Sequence, residues 1–256
     1  MIANYHTHTP RCLHAEGSEE AYIQAALEAQ MEILGFSDHT PQFYPDGRVS
    51  TIRMLPQELP GYVRTLEALR AKYGQNLQIH IGLEAEYYPD LFPELLSFIR
   101  DNGVEYLLLG QHWCGNEIGE PYNGRETADE ARLERYCHQV ADAMQTGLFT
   151  YIAHPDILNF VGDAAVYEKH IRFLCREARD NKIPLEINLL GMTNNKHYPN
   201  PAFWRIAGEE GCLTVIGADA HTPRGLIVPE QEENALQMVK DYDLQLLKKV
   251  QLRTIY

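Results

Sequence analysis

Short apolar runs of strand length alternate along the chain with longer segments whose apolar residues recur at helical spacing. The runs predict seven buried strands, at Ile2–Tyr5, Ile33–Ser37, Ile79–Leu83, Val104–Leu109, Thr150–Ala153, Leu185–Leu189 and Leu213–Gly217. The first helix is predicted to begin at Ser18, which serves as its N-cap. Six further helices are predicted over Leu59–Tyr73, Leu91–Asn102, Thr127–Thr146, Tyr167–Asn181, Asn200–Glu210 and Gln231–Tyr242. Seven strand-then-helix units in series predict an α/β fold with parallel strands.

The chain shows no internal repeat, low-complexity tract or linker, so one domain over residues 1–256 is expected. The segment His39–Pro60 is rich in proline, glycine and tyrosine and is predicted to be a long loop. Long loops in compact domains are often functional lids, and whether residues 40–60 close over a substrate is left open.

The formal net charge of −14 narrows the partners that the chain can have. An acidic surface disfavours nucleic acid and anionic membranes, whereas a small anionic substrate is allowed if bound metals or a few arginines reverse the local field. The five cysteines are scattered and form no CxxC pair, which predicts reduced, buried thiols in a cytoplasmic protein. No signal-peptide pattern and no apolar run of about 18 residues is present, so no membrane span is expected.

Metal-ligand side chains follow the carboxyl ends of six predicted strands. They are His6, His8 and His14 after the first strand, Asp38 and His39 after the second, Glu84 at the end of the third, His112 after the fourth, His154 at the end of the fifth, and Asp219 and His221 at the end of the seventh. In a parallel barrel these ends share one face, where active sites of such barrels lie.

The local spacing of these residues favours metal binding. Residues two apart in an extended chain point to the same side, so His6 and His8 can face one ion, and Asp219 and His221 repeat the arrangement. Imidazole with carboxylate suits Zn²⁺, Fe²⁺ or Mn²⁺. The remaining four histidines are expected to be structural or surface residues: His80, His138, His170 and His197.

The motif order HxH…H…DH…GxE…H…HP…DxH resembles the polymerase-and-histidinol-phosphatase (PHP) superfamily of metal-dependent phosphoesterases over nearly the whole chain. The stretch THTPRCLHAEGSEEAYIQAALEAQMEILGFSDH is more specifically similar to the histidinol-phosphatases of that superfamily. The resemblance implies a distorted (β/α)7 TIM-like barrel with three divalent ions, Zn, Fe or Mn. It also implies hydrolysis of L-histidinol phosphate to L-histidinol and phosphate by metal-activated hydroxide, in histidine biosynthesis.

The resemblance also implies which residues bind each ion. His6, His8, Glu84 and Asp219 would hold the first ion, Glu84 with His112 and His154 the second, and His14, His39 and His221 the third. Glu84, Asp219 and His221 are the expected catalytic members of this set. Asp38 and Asp156 are expected to orient ligand imidazoles from behind, with a turn or N-cap role as the alternative.

Candidate contacts to a phosphorylated substrate are Arg125, Arg224, Lys196 and Asn188, with Arg11 as a further cation. Acidic groups available for the ammonium and imidazole of histidinol are Glu86, Asp90, Glu117 and Glu120. The chain departs from the family pattern at Asn159 and at Thr193-Asn194-Asn195, where a basic residue is expected. These departures leave the particular substrate open. The oligomeric state is also open.

Three alternatives remain. The same chemistry could act on another small phosphomonoester, a nucleotide or a nucleic-acid end, although the acidic chain gives the nucleic acid little support. An amidohydrolase would often carry a bridging lysine at a strand end, and none is present here. A non-catalytic metal-binding module is disfavoured by the complete ligand set.

Overall fold

The computed structural model describes residues 1–117 and 119–256. The described strands form one parallel sheet in chain order. They are β1 (Ala3–Asn4), β2 (Ile33–His39), β3 (Gln78–Ala85), β4 (Tyr106–Leu109), β5 (Phe149–Ile152), β6 (Leu185–Asn188), β7 (Leu213–Gly217) and β8 (Gln245–Leu246). Each of the seven predicted runs overlaps a strand, and the predicted α/β class is confirmed.

The helices lie between the strands as expected. They are α1 (Glu19–Glu28), α2 (Leu59–Tyr73), α3 (Phe92–Asp101), α4 (Glu130–Gln145), α5 (Ala164–Asp180), α6 (Leu189–Thr193), α7 (Pro201–Glu209) and α8 (Pro229–Asp241). Among the described residues, no helix is both long and apolar enough to cross a bilayer.

Capping side chains decide where the helices begin. Ser18 caps α1 as predicted, and its hydroxyl accepts a hydrogen bond from the Ala21 amide. α4 begins later than predicted because the Asp129 side chain caps it, and α5 begins earlier than predicted because Asp163 does the same there. An aspartate at the N-cap accepts backbone amides that would otherwise be unpaired, so these two residues set the boundaries.

The sheet closes on itself through the segments that follow β1 and β7. Thr7 and Ala220 form a parallel bridge, in which the His8 amide donates to the Ala220 carbonyl at 2.9 Å. The Ala220 amide donates to the His6 carbonyl at 3.2 Å. This seam joins the ends of β1 and β7, so that the sheet curls into a distorted barrel of the predicted class, and it lies within the HxH and DxH motifs. The unpredicted β8 pairs with the opposite end of β7.

Apolar side chains close the opposite end of the barrel. The Tyr106 hydroxyl, from β4, crosses the interior and donates to the carbonyls of Tyr5 at 2.8 Å and Phe36 at 3.1 Å. Leu247, Val250 and other residues of the C-terminal segment pack against the buried cluster around Tyr106. The interior is therefore filled at this end, and access is from the carboxyl ends of the strands.

The predicted long loop over residues 40–60 is confirmed as irregular chain up to a single 3-10 turn at Pro56–Glu58. Glu117, from the segment after β4, holds the loop against the barrel. Its carboxylate accepts hydrogen bonds from the hydroxyls of Tyr44 and Ser50 and from the guanidinium of Arg53. The loop therefore packs over the barrel mouth in this conformation.

Candidate metal centre

Glu84, near the end of β3, lies at the centre of a cluster of imidazoles and is itself 1% exposed. Its Oε1 lies 2.9 Å from His154 Nε2, 3.6 Å from His6 Nε2 and 3.8 Å from His112 Nε2. Its Oε2 lies 2.9 Å from His39 Nδ1 and 3.6 Å from His8 Nε2. One carboxylate therefore faces ligand nitrogens from four other strand ends.

Asp219 provides the second buried carboxylate from the turn after β7. Its Oδ1 lies 3.0 Å from His8 Nε2 and 3.4 Å from both His6 Nε2 and His221 Nδ1. The backbone of Asp219 has φ of 50°, and His154 has φ of 31°. Non-glycine residues in this left-handed region are uncommon and cluster at functional sites.

A third group lies nearer the mouth. The imidazoles of His14, His39 and His221 bring one nitrogen each within 4.8 Å of one another, and the Nε2 atoms of His14 and His221 are 3.1 Å apart. The structure thus brings all the predicted metal-ligating residues together around one site. Five of them belong to more than one possible ligand group: His6, His8, His39, Glu84 and His221.

Two carboxylates that were not predicted for this role orient the ligand imidazoles from behind. His6 Nδ1 lies 2.9 Å from Glu186 Oε1 on β6, and His112 Nδ1 lies 2.9 Å from Glu86 Oε1. Each contact fixes the ring and leaves Nε2 free to face Glu84. A usable signal for Glu186 existed, since a glutamate in the short apolar strand LEIN has to be paired when buried.

Backbone carbonyls orient two further rings. His14 Nδ1 lies 2.7 Å from the Cys12 carbonyl, and His221 Nδ1 lies 3.0 Å from the Asp219 carbonyl. Cys12 is buried, as predicted for all five free thiols, but its sulfur also lies in one ligand group with His8 and His221. Burial alone would raise the pKa of the Cys12 thiol, whereas the imidazoles of His14 and His8 lower it below its ordinary value.

The two predicted orienting aspartates have different positions. Asp38 lies behind His8, with Oδ1 at 3.6 Å from His8 Nδ1, and it also accepts the backbone amides of Thr9 and His39. Asp156, in contrast, makes its hydrogen bonds with the Asn200 amide at 2.6 Å and Trp204 Nε1 at 3.1 Å, and none with His154 in the described part of the chain. Asp156 therefore holds the start of α7, which corresponds to the alternative structural role.

Two glycines make room for the buried carboxylates. A Cβ atom on Gly110, just after β4, would lie 1.8 Å from Glu84 Oε1, and one on Gly217 would lie 1.8 Å from Glu186 Oε1. Both distances are far below van der Waals contact, so any side chain at these positions would displace the carboxylate. The positions of Glu84 and Glu186 therefore each require a glycine on or just after the neighbouring strand.

The buried polar atoms fit a divalent cation better than they fit one another. Among the described residues, the buried side-chain atoms that lack a hydrogen-bond partner include His6 Nε2, both ring nitrogens of His8, Glu84 Oε2 and Asp219 Oδ1. Unpaired buried groups are costly and rare, and here they converge within a few ångströms. Imidazole nitrogen with carboxylate oxygen is the ligand chemistry of Zn²⁺, Fe²⁺ and Mn²⁺.

The carboxylates and imidazoles of the cluster shift one another's pKa values. Burial by itself would raise the pKa of Glu84 and Asp219, but the surrounding imidazoles lower both well below the ordinary range. Burial would lower the pKa of His6 and His8, but Asp219 and other carboxylates raise both well above the ordinary value. The carboxylates therefore favour the protonated form of His6 and His8 in the metal-free cluster.

We expect zinc binding to release protons at pH 7, because a metal and a proton compete for the same imidazole nitrogen. The apparent zinc affinity should therefore rise as the pH increases toward the raised pKa values of His6 and His8. Calorimetric titration of metal-free protein in buffers of different ionisation enthalpy measures the number of protons released. An enthalpy that is independent of the buffer would contradict this expectation.

A cavity of about 460 Å³ opens onto the cluster. Besides the predicted metal ligands, its walls are formed by Ile52, Trp113, Tyr122, Leu190, Asn194, Lys196 and Tyr198. Of the predicted substrate contacts, the structure places Lys196 on this cavity. Arg125 and Arg224 are exposed side chains outside its lining.

The remaining candidate substrate contacts, Asn188 and Arg11, have partners within the protein and stay predictions. Asn188 is buried, donates to Asp219 Oδ2 at 3.1 Å and caps α6 by accepting the Gly191 amide, so its amide positions Asp219. Arg11 pairs with Glu19 on α1.

The four candidate acidic groups are engaged elsewhere or lie outside the cavity. Glu86 and Glu117 are bonded to Arg53, Glu120 pairs with Arg135, and Asp90 lines a different cavity. None of them presents a free carboxylate to the cavity beside the metal ligands in this conformation.

Comparison with known proteins agrees with this architecture. The family model of the PHP domain matches residues 4–189. A probable histidinol-phosphatase of Deinococcus radiodurans is 30% identical over 235 residues, covering 87% of each chain, and the histidinol-phosphatase of Bacillus subtilis is 23% identical, covering 84% of this chain and 92% of that protein.

A crystal structure of histidinol phosphate phosphatase from Lactococcus lactis, in complex with zinc, L-histidinol and phosphate, superposes with a TM-score of 0.74. The two chains are 18% identical and each is covered to 98%, so this similarity concerns the fold. The family match and the 30% identity to a relative lead to one conclusion: the chain belongs to the PHP domain family.

Proposed function

We propose that this protein is a metal-dependent phosphomonoesterase that hydrolyses L-histidinol phosphate to L-histidinol and phosphate. The observation that carries the proposal is the buried set of imidazoles around Glu84 and Asp219, whose unpaired atoms converge on one cavity. The relatives named histidinol-phosphatase support this substrate, since one of them is 30% identical over 87% of the chain. The five free, buried thiols suit a reducing compartment such as the cytoplasm.

We assign three divalent ions to the cluster. His6, His8, Glu84 and Asp219 hold the first, Glu84 with His112 and His154 the second, and His14, His39 and His221 the third. Divalent ions in such a site supply hydroxide near neutral pH and offset the charge of the phosphoryl oxygens. Glu84 belongs to both the first and the second ligand set, because its carboxylate faces His6 and His8 as well as His112 and His154. Asp219 faces His6, His8 and His221. Phosphoryl transfer then depends mainly on positioning and on charge.

The cavity walls orient the substrate. Lys196 is the cation that the described lining offers besides the histidines, and its ammonium can pair with a phosphoryl oxygen that points away from the metal ligands. Trp113 and Tyr122, whose ring centroids lie 5.5 Å apart, offer flat surfaces against which an imidazole can stack. They also keep water away from the side of the cavity that they cover.

Steady-state hydrolysis by the zinc- or manganese-loaded protein tests the proposal. We expect kcat/KM on L-histidinol phosphate to reach about 10⁴ M⁻¹s⁻¹ or more, the range of ordinary enzymes, and to exceed that on sugar, nucleotide and other amino-alcohol phosphates. Loss of activity with a chelator and its recovery with metal are the control. Absence of turnover on every phosphomonoester would contradict the proposal.

A second candidate has specific support. No free carboxylate faces the described cavity to pair with the ammonium of histidinol, and Asn194 lies on the wall where a basic residue is expected. Both features suit a phosphomonoester of an uncharged, apolar or aromatic alcohol. A better substrate of this kind in the same panel would keep the metal-dependent phosphatase and replace the substrate.

A further inference from the structure

We propose that Arg53 is a positioning residue for His112 and acts through Glu86, so that the loop carrying Arg53 completes the metal centre. The inference rests on the proposed role of His112 as a metal ligand. It concerns the loop over residues 40–60, which contributes no ligand of its own to the predicted set.

Arg53 is an unusual residue for an irregular loop, because its side chain is 1% exposed. Its Nη2 donates to Glu86 Oε2 at 2.5 Å, and its Nε donates to Glu117 Oε2 at 2.9 Å. The guanidinium carbon lies 5.9 Å from the centre of the ring of Trp113, the residue that follows His112. The arginine therefore joins the loop to Glu117 and to Glu86, the carboxylate that contacts His112.

Glu86 divides its two oxygens between Arg53 and His112. Its Oε1 accepts the backbone amide of His112 at 3.2 Å and lies 2.9 Å from Nδ1 of the same ring, while its Oε2 accepts from Arg53 and from the Tyr88 hydroxyl. The Glu86 carboxylate thus contacts both the backbone amide and the ring of His112. Its own orientation is set on the other side by the guanidinium.

The charge and shape of the arginine both matter in this place. A buried carboxylate needs an opposite charge, and without Arg53 the Glu86 side chain would lose the guanidinium that sets its orientation. This loss would weaken its hold on the His112 ring. Only a guanidinium can donate to Glu86 and Glu117 at once in a fixed plane, whereas a lysine ammonium cannot reproduce this geometry.

Arg48 provides a matched control on the same loop. It is exposed and pairs only with Asp46, at 3.4 Å, among its described contacts. Replacing Arg48 removes the same charge from the same loop but touches neither Glu86 nor Glu117. A difference between the two arginines therefore reports on the contact with Glu86.

The test compares Arg53→Met, Arg53→Lys, Glu86→Gln, the double variant Arg53→Met/Glu86→Gln and Arg48→Met in the full-length chain. Zinc affinity is measured by competition with a chromophoric chelator, and kcat and KM are measured at saturating zinc. Thermal unfolding identifies any variant that does not fold. If Arg53→Met does not fold, Arg53→Lys replaces it in every comparison.

We expect Arg53→Met to weaken the binding of at least one zinc ion by about 10- to 100-fold, the usual effect of losing a group that orients a ligand. We expect kcat to fall while KM changes little, and Arg48→Met to match the wild type. In the Glu86→Gln background, Arg53→Met should add no further loss, because both act on the same ring. Wild-type zinc affinity in Arg53→Met, an equal loss in Arg48→Met, or additive losses in the double variant would each overturn the inference. Zinc affinity needs no substrate, so failure of the proposed hydrolysis leaves this result interpretable.

Discussion

Glu84→Gln is expected to empty most of the metal centre while the barrel stays folded. The amide keeps the shape of the side chain, but it removes the negative charge that faces five imidazoles and places a donor among them. We expect kcat of the metal-dependent reaction to fall by about 10³-fold or more, because electrostatic stabilisation of several kcal/mol is lost. Metal content per chain, measured by mass spectrometry after dialysis, should fall with it.

Glu105→Gln is the matched control for this loss. Glu105 lies before β4, away from the cluster. Burial would raise its pKa, but hydrogen bonds from His80, Arg70 and the Ile81 amide lower that pKa to about 2. Because this carboxylate stabilises the fold when ionised, its removal should lower the melting temperature at neutral pH without lowering metal content. Metal content close to that of the wild type in Glu84→Gln would contradict the bridging role of Glu84.

Gly110→Ala is expected to reduce both activity and zinc binding, although it replaces none of the proposed metal-ligating residues. The added Cβ would lie 1.8 Å from Oε1 and 2.4 Å from Cδ of Glu84, so the carboxylate has to move. A displacement of about 1 Å at a catalytic centre can cost about 10²-fold in rate, and we expect at least this loss in kcat together with weaker zinc binding. Kinetics at saturating zinc and chelator competition measure the two effects.

Gly61→Ala separates this steric effect from a general effect of replacing glycine. Gly61 lies in α2, where a Cβ would meet no atom within 4 Å. This substitution should leave activity unchanged and raise stability by up to about 1 kcal/mol, the difference in helix propensity between the two residues. If Gly110→Ala binds zinc and turns over substrate as Gly61→Ala does, the room beside Glu84 is not required.

Elements with a clear apolar run or period could be predicted from the sequence, whereas two short elements without one could not. The bounds of α2 and β7 agree with the prediction because apolar positions recur over their whole length. β8 and α6 were missed, since two and five residues are too few for a period to be visible. α6 depends instead on the Asn188 side chain, which caps it after the strand ends.

The candidate metal ligands were predictable because parallel strands bring their carboxyl ends to one face, whatever the details of packing. The roles of Glu86 and Arg53 were not, because only the folded barrel brings them together with their partners. For Glu186 the sequence signals a buried, paired carboxylate, but it does not signal the partner His6. The substrate contacts stay predictions. Arg125 and Arg224 lie on exposed loops, where the sequence carries no signal for the direction of a side chain.

The seam between Thr7 and Ala220 has a consequence for the synthesis of this protein. It joins segments that the chain separates by more than two hundred residues, as the hydrogen bond from the Ala218 amide to Asn4 shows, with a separation of 214 residues. His6 and His8 are synthesised more than two hundred residues before Asp219 and His221. A nascent chain therefore holds an incomplete ligand set over that interval, and it becomes able to retain its metals only when β7 arrives and the barrel closes.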